Sequence, residues 1–159
     1  MFMNLRRGVR VAALAVSLGC LSGAGLAMSN FDAEPAKDSR LAEAEKAVKA
    51  QDWNKAIGLL NRVVADSPKN ADAYNYLGYS HRKLGNRDQA LTYYNQALYL
   101  DGNHRGALEY LGELYLDMND LPKAEEQLAR LSRVCGPRCA EYRELQEQVA
   151  NFKAGRPRS

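Results

Sequence analysis

Alanine recurs at Ala56, Ala90 and Ala124, three positions spaced 34 residues apart. Four residues later comes a large side chain each time, at Leu60, Tyr94 and Leu128, and three beyond that Val63, Ala97 and Leu131. Upstream, Leu77-Gly78 is matched by Leu111-Gly112, Tyr74 by Leu108 and His81 by Tyr115. The interruptions keep the same register, at Pro68, Gly102 and Gly136. A period of this length constrains the fold more than any other feature. Each unit is one supersecondary element that cannot bury its apolar face alone, so the units must stack.

The clearest unit runs from Tyr74 to Ala97. Large residues follow helical spacing on both sides of a Gly85-Asn86 break, which predicts helix, tight turn and antiparallel helix. Gly78, Ala90 and Ala97 are small, and the sequence predicts that two helix backbones approach closely there. Ala, Leu, Glu, Lys and Arg dominate the body of the chain, and β-branched residues and Pro are sparse after position 30. That composition predicts an all-α protein.

Three hairpins are read, at 38–70, 71–104 and 105–136. In the first, Leu41, Ala44, Ala47 and Val48 face Ala56, Leu59, Leu60, Val63 and Val64 across a Gln51-Asp52-Trp53 turn. The second closes at Asp101-Gly102-Asn103, where Gly102 suits a left-handed helix end. In the third, Leu108, Leu111, Gly112, Tyr115 and Met118 precede a turn through Pro122, then Ala124, Leu128 and Leu131. A last helix over 137–154 places Cys139, Tyr142, Leu145, Val149 and Phe152 on one side. Its Glu-, Gln- and Arg-rich side is predicted to face water, as a cap requires. Residues 155–159 are a basic tail.

The first 27 residues differ in kind. Arg6, Arg7 and Arg10 precede an apolar run from Val11 to Leu21, and Gly25-Leu26-Ala27 has a small-x-small pattern. This reads as a secretory signal peptide, with 28–37 as a flexible tether. The apolar run is too short and too rich in Gly and Ser for a membrane span, so none is expected after cleavage. Ser17 to Cys20 faintly matches a lipidation motif, a less favoured alternative because Ser17 stands where an aliphatic residue belongs. The leader holds three of the chain's 22 Lys and Arg and none of its 19 acids, leaving 19 of each in the body. The basic excess thus belongs to the leader, and nucleic acid is not expected as a partner. The expected location is the periplasm or the outside of the cell.

The 34-residue period, the large-Leu-Gly-x-x-aromatic pattern and the recurring Ala resemble the tetratricopeptide repeat (TPR) family over residues 38–136. The second copy matches best, the third well, and the first lacks the Leu-Gly pair. The resemblance implies an all-α solenoid of three hairpins with a C-terminal capping helix. It also implies a concave groove, lined by the first helix of each repeat, that holds a peptide or partner helix. An adaptor or assembly factor is the implied role, with no enzymatic activity and no cofactor.

Groove positions carried over from the family include Glu45, Asn75, Tyr79, Arg82, Glu109 and Glu113. Tyr79 offers a large amphipathic contact, Arg82 a fork for carboxylates and Asn75 a partner for peptide backbone. Leu41 and Glu45 stand where a carboxylate clamp of the family has a basic and an amide residue, which argues against that clamp. Asp38, Glu45, Asp72, Glu109 and Glu113 outnumber Arg82, so a protein or peptide partner with a basic bias is expected. An uncapped repeat end would permit weak self-association.

Cys135-Gly-Pro-Arg-Cys139 is not explained by the repeat. In an exported protein an even pair reads as a disulfide, stapling the third hairpin to the last helix. The alternative is a periplasmic redox or metal-handling accessory role for Cys135 and Cys139. The spacing is one longer than Cys-x-x-Cys, and His81 and His104 lack metal-ligand spacing, so no metal site is assigned. No Gly-rich phosphate loop, Gly-x-Ser-x-Gly or His-Glu-x-x-His motif is present, and no catalytic residue is assigned.

Overall fold

A computed structural model of the chain describes residues 39–156. The expected signal peptide and tether, Cys20, Asp38 and the end of the basic tail lie outside the described residues. Seven helices and no strand make up the described part: α1 (Ser39–Lys49), α2 (Trp53–Asp66), α3 (Ala71–Lys83), α4 (Arg87–Leu100), α5 (Arg105–Asp117), α6 (Leu121–Val134) and α7 (Ala140–Lys153).

The turns explain why helices stop where they do. Residues 51, 85 and 119 hold the same place in three successive turns, and all three have positive φ: 59° at Gln51, 80° at Gly85 and 59° at Asn119. Only the middle copy uses glycine, which takes that conformation without steric cost. Gly102, by contrast, is not among the left-handed residues. The second repeat ends instead with Asp101 Oδ1 accepting from Asn103 N at 2.9 Å. Helix starts repeat as well. Asp52 accepts from Lys55 N and Asp120 from Lys123 N, each at 3.2 Å, and satisfies a backbone donor that the first turn leaves open. Asn70 does the same for Ala73 N at 2.9 Å. Its counterpart 34 residues on is His104, whose Nδ1 accepts from Ala107 N at 3.1 Å while its Nε2 meets Asp72 Oδ1 at 3.0 Å. The ring closes a helix end.

Each helix packs on its neighbours in the chain. In addition α1 touches α3, α3 touches α5 and α5 touches α7, whereas α2, α4 and α6 do not touch one another. The odd-numbered helices therefore form a continuous inner layer. Leu41, Ala44, Ala56, Leu60, Val63 and Leu77 fill the first core cluster. Ala90, Tyr94, Leu111 and Leu114 fill the second. Leu108, Leu116, Ala124, Leu131, Leu145 and Val149 fill the third. Most of the predicted stripe is buried. Met118 is not: it caps α5 and remains 40% exposed.

Gly78 does not bring two backbones together. A Cβ at position 78 would lie 2.6 Å from Tyr94 Cδ1, so the missing side chain makes room for a fully buried aromatic ring. Gly112 does the same for Leu145 of α7, with Cδ2 2.5 Å from where its Cβ would stand. Helix α7 is thus seated in the third repeat as a first helix of a further unit would be. It begins at Ala140, three residues later than the sequence predicts, because Gly136 is left-handed at φ 76° and Pro137 cannot continue α6.

Glycine to alanine in a helix interior gains about 1 kcal/mol in propensity, and overpacking a filled core loses roughly 1–3 kcal/mol. Gly58 of α2 has open space around it, so Gly58→Ala should raise the melting temperature. At Gly78 the clash outweighs the gain, and Gly78→Ala should lower it. Thermal unfolding of the two variants beside the parent chain checks both signs.

Candidate functional site

Two depressions lie on the inner layer and share Tyr79, Lys83 and Tyr110 as lining residues. The first, of about 430 Å³, is walled by Val48, Trp53, Tyr76 and Tyr79 with Tyr110 at its end. Its aromatic rings form a ladder. Trp53 meets Tyr79 edge-on with centroids 5.8 Å apart, Tyr79 meets Tyr110 at 4.7 Å, and Tyr110 meets the buried Tyr94 at 6.4 Å. Lys83 Nζ stands 5.3 Å from the centre of the Tyr79 ring, within the range of a cation–π contact. The ladder crosses three repeats, so its spacing is set by helix packing and not by loops.

The second depression, of about 320 Å³, is walled by α3, α5 and α7 and is acidic: Glu109, Glu113, Glu144 and Glu147 line it with Gln148. Glu109 is only 4% exposed, and its Oε1 has no hydrogen-bond partner among the described residues. Burial drives its carboxyl upward, aided by its hydrogen bond to Glu144 and by the charges of Glu113, Glu144 and Glu141, from the ordinary 4.5 to about 9. Glu109 therefore holds a proton at neutral pH. The neighbouring Tyr110 phenol is pushed up as well, first by burial and then by Glu109.

The sequence-predicted site residues divide. Tyr79 lies at the junction of both depressions, and Glu109 and Glu113 line the acidic one. Arg82 is not available as a fork for a partner's carboxylate. Its Nε donates to Asp117 Oδ2 at 2.6 Å and its Nη1 to Glu113 Oε2, with the side chain 13% exposed. Asn75 is not on the surface either: it is 5% exposed, its Nδ2 only 3.2 Å from where a Cβ of Gly106 would be. Position 75 thus packs α3 on α5, with Gly106 making the space. Glu45 is half-buried on α1 and lines neither depression.

Sequence reasoning missed Trp53, taken as a turn residue, and did not single out Tyr110, which packs on the core and also lines both depressions. The polar side of α7 faces water as expected, with Glu144 and Glu147 exposed, and the same two side chains line the acidic depression. One signal was available. Continuing the 34-residue period past the third hairpin puts Leu145 on Leu111, Val149 on Tyr115 and Glu147 on Glu113.

The cysteines sit at helix ends, Cys135 capping α6 and Cys139 preceding α7. Their Sγ atoms lie 2.07 Å apart with Cα atoms 5.9 Å apart. With Glu141 they form a group of three donor atoms all within 4.8 Å of one another. Among the described residues no helix is long and apolar enough to cross a membrane.

Two family models, both described as tetratricopeptide repeat, match residues 41–107 and 81–149. The chain is 36% identical over 75 residues to a probable biofilm formation methyltransferase, WspC, of Pseudomonas putida, a match covering 45% of this chain and only 18% of that protein. Among solved structures, the TPR2B domain of yeast Sti1 in its pHsp70 complex aligns with a TM-score of 0.66 at 18% identity, covering 74% of this chain and 96% of that one. PcrH in complex with the chaperone binding region of PopD aligns at 0.65 and 19% identity, covering 74% and 90%.

A carboxyl held neutral by the fold stabilises it fully below the unfolded value and loses that contribution as pH rises toward the folded one. Between pH 4.5 and about 9 the native state should therefore weaken at the expense of Glu109. Each pH unit in such a window is worth up to about 1.4 kcal/mol. Glu109→Gln should match the parent in urea unfolding near pH 4.5 and exceed it by a few kcal/mol at pH 8.

Proposed function

The chain belongs to the tetratricopeptide repeat family, and on that footing we propose that its inner face binds a peptide or helix of a partner protein. The observation that carries this reading is the aromatic ladder Trp53–Tyr79–Tyr110, three large rings open to a depression of about 430 Å³. Rings with polar tips, held by rigid helices, supply contact area at small entropic cost and dominate binding energy at protein interfaces. Structural neighbours such as PcrH are seen with a segment of another protein. No catalysis is assigned, and the methyltransferase name is not carried over, since the shared segment spans 18% of that protein.

We further propose that the protein acts as an adaptor or assembly factor after export. The basic, apolar and small-residue sequence of positions 1–27 supports export, and an even cysteine pair in the body fits an oxidising compartment. There Cys135 and Cys139 form a disulfide that fixes the loop between α6 and α7. A second reading rests on the same loop: reduced, Cys135 and Cys139 with Glu141 offer two thiolates and a carboxylate within 4.8 Å, a donor set suited to zinc. Thiol titration of the purified protein separates the two. Absence of titratable thiols until a reductant is added supports the staple; two thiols protected by added zinc support the metal reading.

Trp53 is the chain's single tryptophan, so its fluorescence reports directly on the groove. Partner proteins or peptides that bind should shift its emission. The variant Tyr79→Ala should weaken that binding by about tenfold or more, as expected for a central aromatic anchor. Tyr99→Ala, which alters an 83% exposed ring on α4 outside both depressions, should leave it unchanged. Equal loss from both variants, or from neither, rejects the groove assignment.

A further inference from the structure

The acidic depression requires an explanation of its own. Glu109 is a carboxyl 4% exposed that meets Glu144, while its Oε1 has no hydrogen-bond partner among the described residues, an arrangement costly to bury. Its neighbours make the site more negative. From α7 come Glu141, Glu144 and Glu147, from α5 Glu113 and Tyr110, and from α3 Tyr79, Arg82 and Lys83. Of the nearby cations, Arg82 bridges Glu113 and Asp117, Arg105 Nε is 3.6 Å from Glu141, and Lys83, at the edge of the depression, holds its Nζ over the Tyr79 ring. A group that entered would find carboxylate oxygens on the α5 and α7 walls and the Tyr79–Tyr110 pair beside them.

We propose that this depression receives a cationic side chain, arginine or lysine, of the partner segment that lies along the aromatic ladder. The inference rests on the groove reading above and specifies its partner. A guanidinium suits the walls best, since its planar fork can donate to several carboxylates while its face stacks on an aromatic ring. The depression adjoins the ladder through Tyr79 and Tyr110, so one segment can place apolar residues against Trp53 and its cation against Glu109. The step balances simply: the entering cation pairs with the Glu109 carboxylate, and the proton that Glu109 held leaves to solvent. Binding is therefore coupled to release of a proton, and it tightens as pH rises.

The test begins with a random 12-residue peptide display library selected on the full chain, with Trp53 emission as the measure of groove binding. Selected peptides are expected to share an Arg or Lys. Replacing that Arg by citrulline, its neutral near-isostere, and Glu109→Gln in the protein should each weaken binding about 30-fold or more. The two changes should not add, because each removes the same pair. With an arginine peptide, whose charge is constant, the dissociation constant should fall from pH 6 to pH 8 by up to about tenfold per unit, and Glu109→Gln should flatten that slope. A Glu144→Gln, Glu147→Gln double variant, at two exposed positions, gives the same affinity test without touching the core. Peptides that shift Trp53 emission and depend on Tyr79 yet carry no shared cation, or are indifferent to these glutamines, overturn the inference and leave the groove reading standing. A library from which no peptide shifts Trp53 emission overturns both.

Discussion

The fold depends on a ring occupying the space of an absent side chain. Tyr94 of α4 lies where the Cβ of residue 78 would be, and from that position it joins Ala90, Leu111 and Leu114 in one cluster. It fixes α4 on α3 and α5 on both. Tyr110 is carried by the same helix as Leu111 and Leu114, and its ring centre comes within 6.4 Å of Tyr94 and 4.7 Å of Tyr79. The aromatic ladder is therefore the half-buried extension of a buried packing contact. Interiors are close-packed, so a shift of Tyr94 would be transmitted to the groove.

A second interaction sets the electrostatics. Arg82 crosses from α3 to Glu113 and Asp117 on α5 and ties the second repeat to the third. Partly buried ion pairs of this kind fix geometry more than they add net stability. The consequence for the site is compositional: Arg82 is held by the protein's own acids. Glu109, one turn away from Glu113, is left with no cation of its own among the contacts described. Its neutrality at pH 7 follows from burial and from the surrounding carboxylates together.

Much of this was legible in the sequence, and the reasons are physical. A 34-residue period survives because each hairpin must present the same small and large residues to the next. It gives the hairpins, the core stripe and the place of Gly78. The left-handed turn positions were hidden because Gln51 and Asn119 occupy a conformation that only Gly85 announces by its identity. Position rules placed Asn75 and Arg82 on a surface, but a position rule is silent about what a neighbour supplies. Gly106 opens space that draws Asn75 inward, and Asp117 with Glu113 captures Arg82. Helix α7 was read in part. Its charged side is solvated, as its composition suggests, and only the continued period shows that the same side also belongs to a fourth inner helix.

The inner face thus combines an aromatic surface with an acidic one. Its aromatic half would bind many apolar segments with little discrimination. Its acidic half weakens the native state, because a buried carboxyl without compensation lowers stability as it ionises. Groups that break a packing rule without local benefit mark functional sites more often than structural ones. Here the cost is confined to the wall between α5 and α7, where a partner's cation would relieve it. On the proposed reading an apolar anchor would give affinity and a relieved carboxyl selectivity, since a segment lacking the cation would leave Glu109 Oε1 without a partner.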